Sequence, residues 1–170
     1  MSPVFSFLYQ LGTAGWSTAT VSDGERTLTL KASYLSDALG DLTRVVVALL
    51  QGAEQATLTW DEEPEVTEWR FERQDDDVDV RITLFNDWSS YRRSRAQSGE
   101  RPFSVRCPLS RLAGEVLDEL WRIYETFGVA GYKERWLMHA FPLQEYTQLQ
   151  GLLRERTKQR RAPRDGDPQP

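Results

Sequence analysis

The 170-residue chain has a single cysteine and a single histidine. Cys107 has no partner for an intrachain disulfide, which is typical of proteins from a reducing compartment. A metal site built from nitrogen and sulfur ligands is disfavoured, because one Cys and one His cannot supply its ligands. A hydrolytic triad would have His139 as its only base, so the sequence argues against that chemistry as well.

Long hydrophobic runs and phosphate-binding glycine motifs are also absent. The longest uninterrupted apolar run is Val45–Leu50, far shorter than the ~20 residues that span a bilayer. Residues 1–10 carry no positive side chain, so no signal peptide is predicted. Neither Gly-x4-Gly-Lys-[Ser/Thr] nor Gly-x-Gly-x-x-Gly occurs. We therefore expect a soluble cytoplasmic protein with no cofactor and no membrane contact.

What the chain does have is an uneven distribution of charge. The net charge is −5, and it divides into −10 for residues 1–88 and +5 for residues 89–170. The acidic half would suit a basic partner by charge complementarity. A nucleic-acid-binding protein usually has a larger basic excess, so that class is less expected.

The segment Leu35–Gly52 has the spacing of an amphipathic helix. Ser36 is a candidate N-cap, and Gly52 is a candidate helix end. The apolar residues recur at intervals of three and four: Leu35, Leu39, Leu42, Val46 and Leu49. Strand-like segments lie on both sides of it in the chain, so we expect this helix to pack across a sheet.

Alternating apolar and polar residues predict strands before the helix. Asp23-Gly24 is a favoured two-residue hairpin turn. That turn would pair Val21 with Arg26, and it would place Trp16 on the face that points away from the core.

A second set of alternating segments, between residues 56 and 84, predicts an antiparallel meander. Its predicted registers oppose Trp60 with Trp69 and Phe71 with Val80, all on the buried face. The other face is expected to be solvated and carries five charged side chains: Glu68, Arg70, Glu72, Asp79 and Arg81.

Helical spacing returns near the C-terminus. A helix predicted from Leu109 to Phe127 is broken at Gly128–Gly131. A short helix is predicted over residues 132–140, and another begins near Pro142.

Together these patterns indicate an α+β fold. We expect an antiparallel sheet of five to seven strands, with one inserted helix after the first strands and C-terminal helices packed against it. We predict a single domain over residues 1–157 and a disordered polar tail over residues 158–170.

Two N-terminal segments, Gly15–Gly24 and Ala32–Leu42 (ASYLSDALGDL), resemble a group of uncharacterised bacterial proteins. The resemblance extends to about Trp88. It implies a bacterial source, and it brings no established activity and no site residue.

No residue is assigned as catalytic, cofactor-binding or metal-binding. Trp88 follows a strand, where an aromatic ring often caps the edge of a core. The arginine-rich loop 92–106 would suit phosphates or an acidic partner, whereas the acids at 61–65 and 75–79 are typical of solvated hairpin turns. The candidate interaction residues are Trp16, Trp88, Arg92, Arg93, Arg95 and Arg101.

The leading hypothesis is a non-enzymatic protein–protein interaction module, either an adaptor or an immunity-like protein. It would bind a basic partner through its acidic N-terminal half. One alternative is anion or nucleic-acid binding through the arginine-rich loop. Another is a carboxylate-based enzyme, which requires two acids that converge in a pocket. The oligomeric state stays open at this point.

Overall fold

A computed structural model describes residues 4–94 and 102–161, and it confirms an α+β fold. The elements in chain order are β1 (Ser6–Leu11), β2 (Trp16–Ser22), β3 (Thr27–Ser33), α1 (Ala38–Leu50), β4 (Gln55–Asp61), β5 (Val66–Gln74), β6 (Asp77–Phe85), α2 (Trp88–Ser94), β7 (Phe103–Pro108), α3 (Leu109–Trp136) and α4 (Leu143–Arg161).

The strands form two antiparallel sheets, so the prediction of a single sheet was wrong. One sheet has the order β1-β2-β3, and the other has the order β4-β5-β6-β7. Period-two alternation reports which face of a strand is buried, but it does not report which strand lies beside it. The break falls at α1, which separates β3 from β4 in the chain.

The predicted β5–β6 register is confirmed, because Phe71 lies opposite Val80. The other two predicted hairpin registers are each wrong by two residues. Val21 lies opposite Leu28 rather than Arg26, and Trp69 lies opposite Leu58 rather than Trp60. A shift of two leaves every side chain on its predicted face.

A longer turn explains the first shift, and a shorter turn explains the second, because Asp61 already pairs with Val66. The Asp23 carboxylate accepts hydrogen bonds from the backbone amides of Glu25 (3.0 Å) and Arg26 (2.7 Å), which closes a turn longer than Asp23-Gly24. In the next hairpin the Glu62 amide donates to the Glu65 carbonyl at 2.8 Å. In each hairpin, hydrogen bonds between polar groups of the turn fix the residues at which the ladder begins.

Aromatic side chains from both sheets meet in the core. The Trp60 and Trp69 rings are 4.8 Å apart between centroids. From the other sheet, Tyr9 lies 6.2 Å from Trp60, and Phe7 lies 6.4 Å from Trp69. Both tryptophans are fully buried, as predicted.

Helix α1 begins at Ala38, three residues later than the predicted first turn. Leu35 is 55% exposed and does not belong to the apolar face. Ser36 does not cap the helix, because its hydroxyl accepts a hydrogen bond from the Asp61 amide in β4. Asp37 occupies the N-cap position, and its carboxylate pairs with Arg44.

Helix α3 lies along the open edge of β1 and bonds to its backbone. The contacts run from Arg111 Nε to the Phe5 carbonyl (3.0 Å), from the Phe7 amide to Glu115 (3.0 Å), from the Tyr9 amide to Glu119 (2.7 Å) and from Arg122 to the Tyr9 carbonyl. Alternate residues of an edge strand present both backbone groups to the same side. The side chains of α3 therefore satisfy groups that a further strand would otherwise pair.

The predicted break in α3 is confirmed at Gly128, whose φ of 64° is non-helical. The helix resumes and ends at Trp136, so the predicted helix over 132–140 was too long. Helix α4 packs on α1, where Arg44 pairs with Glu145 at 3.2 Å. The C-terminal helices therefore pack on the fold as expected.

Helix α4 continues to Arg161, so residues 158–161 are helical rather than part of a disordered tail. Lys, Arg and Gln are good helix formers, and Lys158 pairs with Glu155 one turn earlier at 3.0 Å. Residues 162–170 lie outside the described residues. Across 4–94 and 102–161, no helix has the combination of length and apolar character that crossing a membrane requires.

The outer face of β5 and β6 is only partly solvated, contrary to the prediction. Glu68 is 3% exposed and pairs with Arg70 at 2.6 Å. Helix α2 packs on this face, with the Tyr91 ring 5.2 Å from Phe85.

The segment predicted as a loop over residues 92–106 includes the end of α2 and the start of β7.

Candidate interaction surface

A cleft lies between the outward face of the β2–β3 hairpin and the β4–β5 turn, and we call it the Trp16 cleft. Its volume is about 600 Å³. The lining residues are Trp16, Ser17, Thr18, Thr29, Lys31, Glu62, Glu63 and Glu65. It brings together a predicted site residue and one of the two acidic clusters that the sequence assigned to solvated turns.

Trp16 opens β2 and is 37% exposed, on the face that its register predicted. The turn before it is held in place by Tyr34, whose amide donates to the Gly15 carbonyl at 2.7 Å. Gly15 has a φ of +77°, and a Cβ there would lie 2.5 Å from the Tyr34 ring. Only glycine fits this position, and the indole of the residue that follows it lines the cleft.

Glu62, a lining residue of the cleft, connects the two sheets. Its Oε1 atom accepts hydrogen bonds from the Lys31 amide on the edge of β3 (3.2 Å) and from the Thr67 hydroxyl (2.8 Å). Burial raises the pKa of the Glu62 carboxyl, while the Thr67 and Lys31 hydrogen bonds oppose that shift and the Glu65 carboxylate adds to it. Glu62 therefore fixes the acidic turn against β3.

Glu63 and Glu65 are exposed beside it. The Glu63 carboxylate accepts a hydrogen bond from the Ser33 hydroxyl at 3.2 Å, which orients it towards β3. Glu65 lies in the same turn, and its backbone carbonyl accepts a hydrogen bond from the Glu62 amide. We call Glu63 and Glu65 the rim carboxylates. They lie on a turn that is hydrogen-bonded to β3 through Glu62 and Glu63.

Some other acids of the second sheet have arginine partners. Examples are Glu72 with Arg81 at 2.9 Å and Asp79 with Arg106 at 2.8 Å.

The three carboxylates of the Trp16 cleft differ from these acids. In the part of the chain that the structure describes, Glu62, Glu63 and Glu65 form no ion pair. Among the described residues, Lys31 is the only basic one in the lining. The cleft therefore has an excess of negative charge beside an exposed indole, and both features attract a cation.

The structure does not bring Trp88 into this cleft. Its indole Nε1 donates to the Asp61 carboxylate, and its ring lies edge-on to Tyr91 at 5.4 Å. It covers the border between α2 and β4, as an aromatic cap on the core would do.

The structure describes two of the four arginines that are candidate interaction residues. Arg92 and Arg93 are exposed on α2, whereas Arg95 and Arg101 lie outside the described residues. Tyr91, which directly precedes them in α2, is 6% exposed and packs on β6. Anion or nucleic-acid binding through these arginines therefore stays a prediction.

A second acidic cleft, of about 470 Å³, contains Glu54, Glu72 and Asp75. Arg73 lies in it and donates to the carbonyls of Asp75 (2.9 Å) and Leu49 (3.1 Å), so its negative charge is partly balanced. Among residues 4–94 and 102–161, no three His, Cys, Asp or Glu side chains are arranged to hold a metal ion.

Cys107 is not an available nucleophile. The side chain is 2% exposed in β7, and burial raises the pKa of its thiol to about 12. The thiolate, which is the reactive form, is therefore scarce at neutral pH.

Comparison of the chain with protein-family models, with curated proteins and with solved structures gave no match. The resemblance of the N-terminal half to a group of uncharacterised bacterial proteins stays a prediction.

Proposed function

We propose that this protein is a non-enzymatic interaction module that binds a basic segment of a partner protein in the Trp16 cleft. One observation carries the proposal: Glu62, Glu63 and Glu65 line the same cleft as an exposed indole and form no ion pair with any described residue. An arginine or lysine side chain would stack on Trp16 and meet the rim carboxylates.

The location of the cleft supports recognition of a chain rather than of a small molecule. Its lining includes Thr29 and Lys31 of the edge strand β3, and it carries hydroxyl groups from the half-buried Thr18 and the exposed Thr29. Hydroxyl groups and a carboxylate rim suit the backbone and the cationic side chains of an extended segment.

The first test uses a fluorescein-labelled oligoarginine peptide, with fluorescence anisotropy as the readout and a Gly/Ser peptide as the negative control. Trp16→Ala should weaken binding about fivefold or more, because an exposed cation–π contact contributes about 1 kcal/mol. Trp16→Phe keeps an aromatic face and should retain most of the affinity.

The charge requirement is tested with two variants that change net charge equally. Glu63→Gln/Glu65→Gln removes the rim carboxylates, whereas Asp75→Asn/Asp76→Asn removes two exposed acids at the β5–β6 turn. Binding should fall about tenfold in the first variant and little in the second. An equal loss in both variants would mean that the peptide senses only overall charge, and the proposal would fail.

A carboxylate-based enzyme is the second candidate, and the Glu62 carboxyl is the observation that favours it. Its raised pKa and the neighbouring Glu65 carboxylate are the features of an acid and base pair. Chromogenic glycosides would test this candidate, because paired acids beside an aromatic ring suit glycoside hydrolysis. Turnover that disappears in Glu62→Gln would favour the enzyme, and an absence of turnover beside peptide binding would favour the interaction module.

A further inference from the structure

Helices α3 and α4 pack antiparallel and leave a groove between them. Tyr124 of α3 lies 5.9 Å from Tyr146 of α4, while Leu117, earlier in α3, lies in the groove with Leu153, later in α4. The groove has a volume of about 430 Å³, and its lining residues are Leu117, Gln150, Leu153, Arg154, Thr157 and Lys158.

Trp121 stands beside this groove. It follows Leu117 by one helical turn, so the two side chains lie on the same side of α3. Trp121 is 56% exposed, more than any of the other five tryptophans. Leu153 is only partly buried against the core. An exposed tryptophan next to partly exposed leucines is typical of a surface that another protein covers.

Charges flank this apolar strip in a fixed order. On the α3 side, Asp118 and Glu125 are exposed and lie one turn before and one turn after Trp121. On the α4 side, Arg154 and Lys158 are exposed and lie one turn apart. We call this surface the α3–α4 face: an acidic row, an apolar strip and a basic row.

Such a surface is complementary to itself. A two-fold rotation about an axis parallel to the helices places the acidic row of each copy over the basic row of the other. A partner with charges of one sign would instead meet like charges on one row. Lys158 also pairs with Glu155, but that pair is exposed and contributes little to stability.

We propose that the α3–α4 face is the interface of a homodimer, with Trp121 near its centre and an acidic row against a basic row on each side. The apolar strip supplies the burial, and the two rows set the orientation. The residues that line the Trp16 cleft are not part of this face, so the dimer would present two open clefts to a partner.

Sedimentation equilibrium over a wide concentration range tests the proposal directly. The wild-type chain should reach twice its mass of 19.6 kDa. Trp121→Ala should weaken the dimer at least tenfold, because a central tryptophan is the commonest kind of interface hot spot. Trp88→Ala, which changes a different exposed tryptophan, should leave the dimer unchanged.

Charge reversal tests the self-complementary arrangement. Arg154→Glu/Lys158→Glu makes both rows acidic, and Asp118→Lys/Glu125→Lys makes both rows basic. Each variant alone should be monomeric, and an equimolar mixture should form a heterodimer. Circular dichroism of each variant checks that the fold is retained.

Two results would overturn the proposal. One is a wild-type chain that stays at 19.6 kDa at every concentration. The other is a dimer that survives Trp121→Ala and both charge reversals, since its interface would then lie elsewhere. A monomeric wild type that still binds the oligoarginine peptide would separate this failure from the proposed function of the cleft.

Discussion

The Glu119 carboxylate accepts a hydrogen bond from the Tyr9 backbone amide at 2.7 Å, although the two residues are 110 positions apart. Glu119 is 8% exposed and also pairs with Arg122 at 2.6 Å. The Arg122 guanidinium in turn donates to the Tyr9 carbonyl. One residue of an edge strand thus has both backbone groups satisfied by side chains of a helix.

Glu119→Ala should lower the free energy of unfolding by about 1–3 kcal/mol, because the buried Tyr9 amide would lose its acceptor. Glu134→Ala, at an exposed position of the same helix, is the matched control and should change stability by less than about 0.5 kcal/mol. Urea denaturation measures both. Equal effects would mean that the edge of β1 does not depend on this contact.

Trp69→Ala should cost about 3–5 kcal/mol, since Trp69 is fully buried and a large cavity would remain. Leu35→Ala should cost less than about 0.5 kcal/mol, because Leu35 is 55% exposed despite its place in the helical pattern. The same urea experiment compares the two. A loss below about 1 kcal/mol for Trp69→Ala would contradict the assigned core face.

Gly40→Ala should destabilise the protein, although alanine normally favours a helix. A Cβ at Gly40 would lie 2.2 Å from the Asp37 carboxylate, which Arg44 holds in place. We expect a loss of more than about 1 kcal/mol in thermal or urea unfolding. Gly151→Ala in α4 meets nothing within 4 Å and should stabilise by about 0.5–1 kcal/mol. Stabilisation by both variants would show that Asp37 moves freely.

Asp23 makes stability depend on pH in the acid range. Hydrogen bonds from the Arg26 amide and guanidinium lower the pKa of Asp23 to about 2. Because the folded pKa lies below the unfolded value near ~4, this stabilisation is present above pH ~4 and is lost as the pH falls towards ~2.

Asp23→Asn keeps a side-chain oxygen for the turn but cannot titrate. The difference in unfolding free energy between the wild type and Asp23→Asn should therefore shrink between pH 5 and pH 2. A difference that stays constant over that range would contradict the assignment. Chemical denaturation at several pH values measures it.

Local patterns were sufficient to predict β1 to β6 and the core-facing side of each one. Trp60, Trp69 and Phe71 are in the core as their alternation indicated. The β5–β6 register was predictable because the alternation on both sides of a short turn places the apolar residues opposite one another. The turn at Asp23 was not, since its carboxylate replaces backbone groups as a hydrogen-bond acceptor.

The division into two sheets could not be predicted, because it depends on contacts between distant residues. The same holds for Glu68, which is buried because α2 packs over its face. Alternation predicted a charged residue on a solvated surface, but it contains no information about which helix returns to cover that surface.

The sequence predicted the two parts of the candidate site, but it did not predict that they lie together. The side of the hairpin on which Trp16 lies follows from period-two alternation, and the acids at 61–65 were recognised as a cluster. Their meeting was not predictable, since it depends on contacts such as that between Lys31 and Glu62, which are 31 positions apart. The spacing of Arg111, Glu115, Glu119 and Arg122 along one side of α3 was the available signal for the β1 contact.

The reliance of β1 on α3 also has a consequence for synthesis. The N-terminal part of a chain leaves the ribosome first, so the first three strands emerge well before Glu115 and Glu119 are made. Until then the backbone of β1 has an open edge that another nascent chain can pair with. The newly made protein can protect its own first strand only once the part of α3 from Arg111 to Arg122 has emerged.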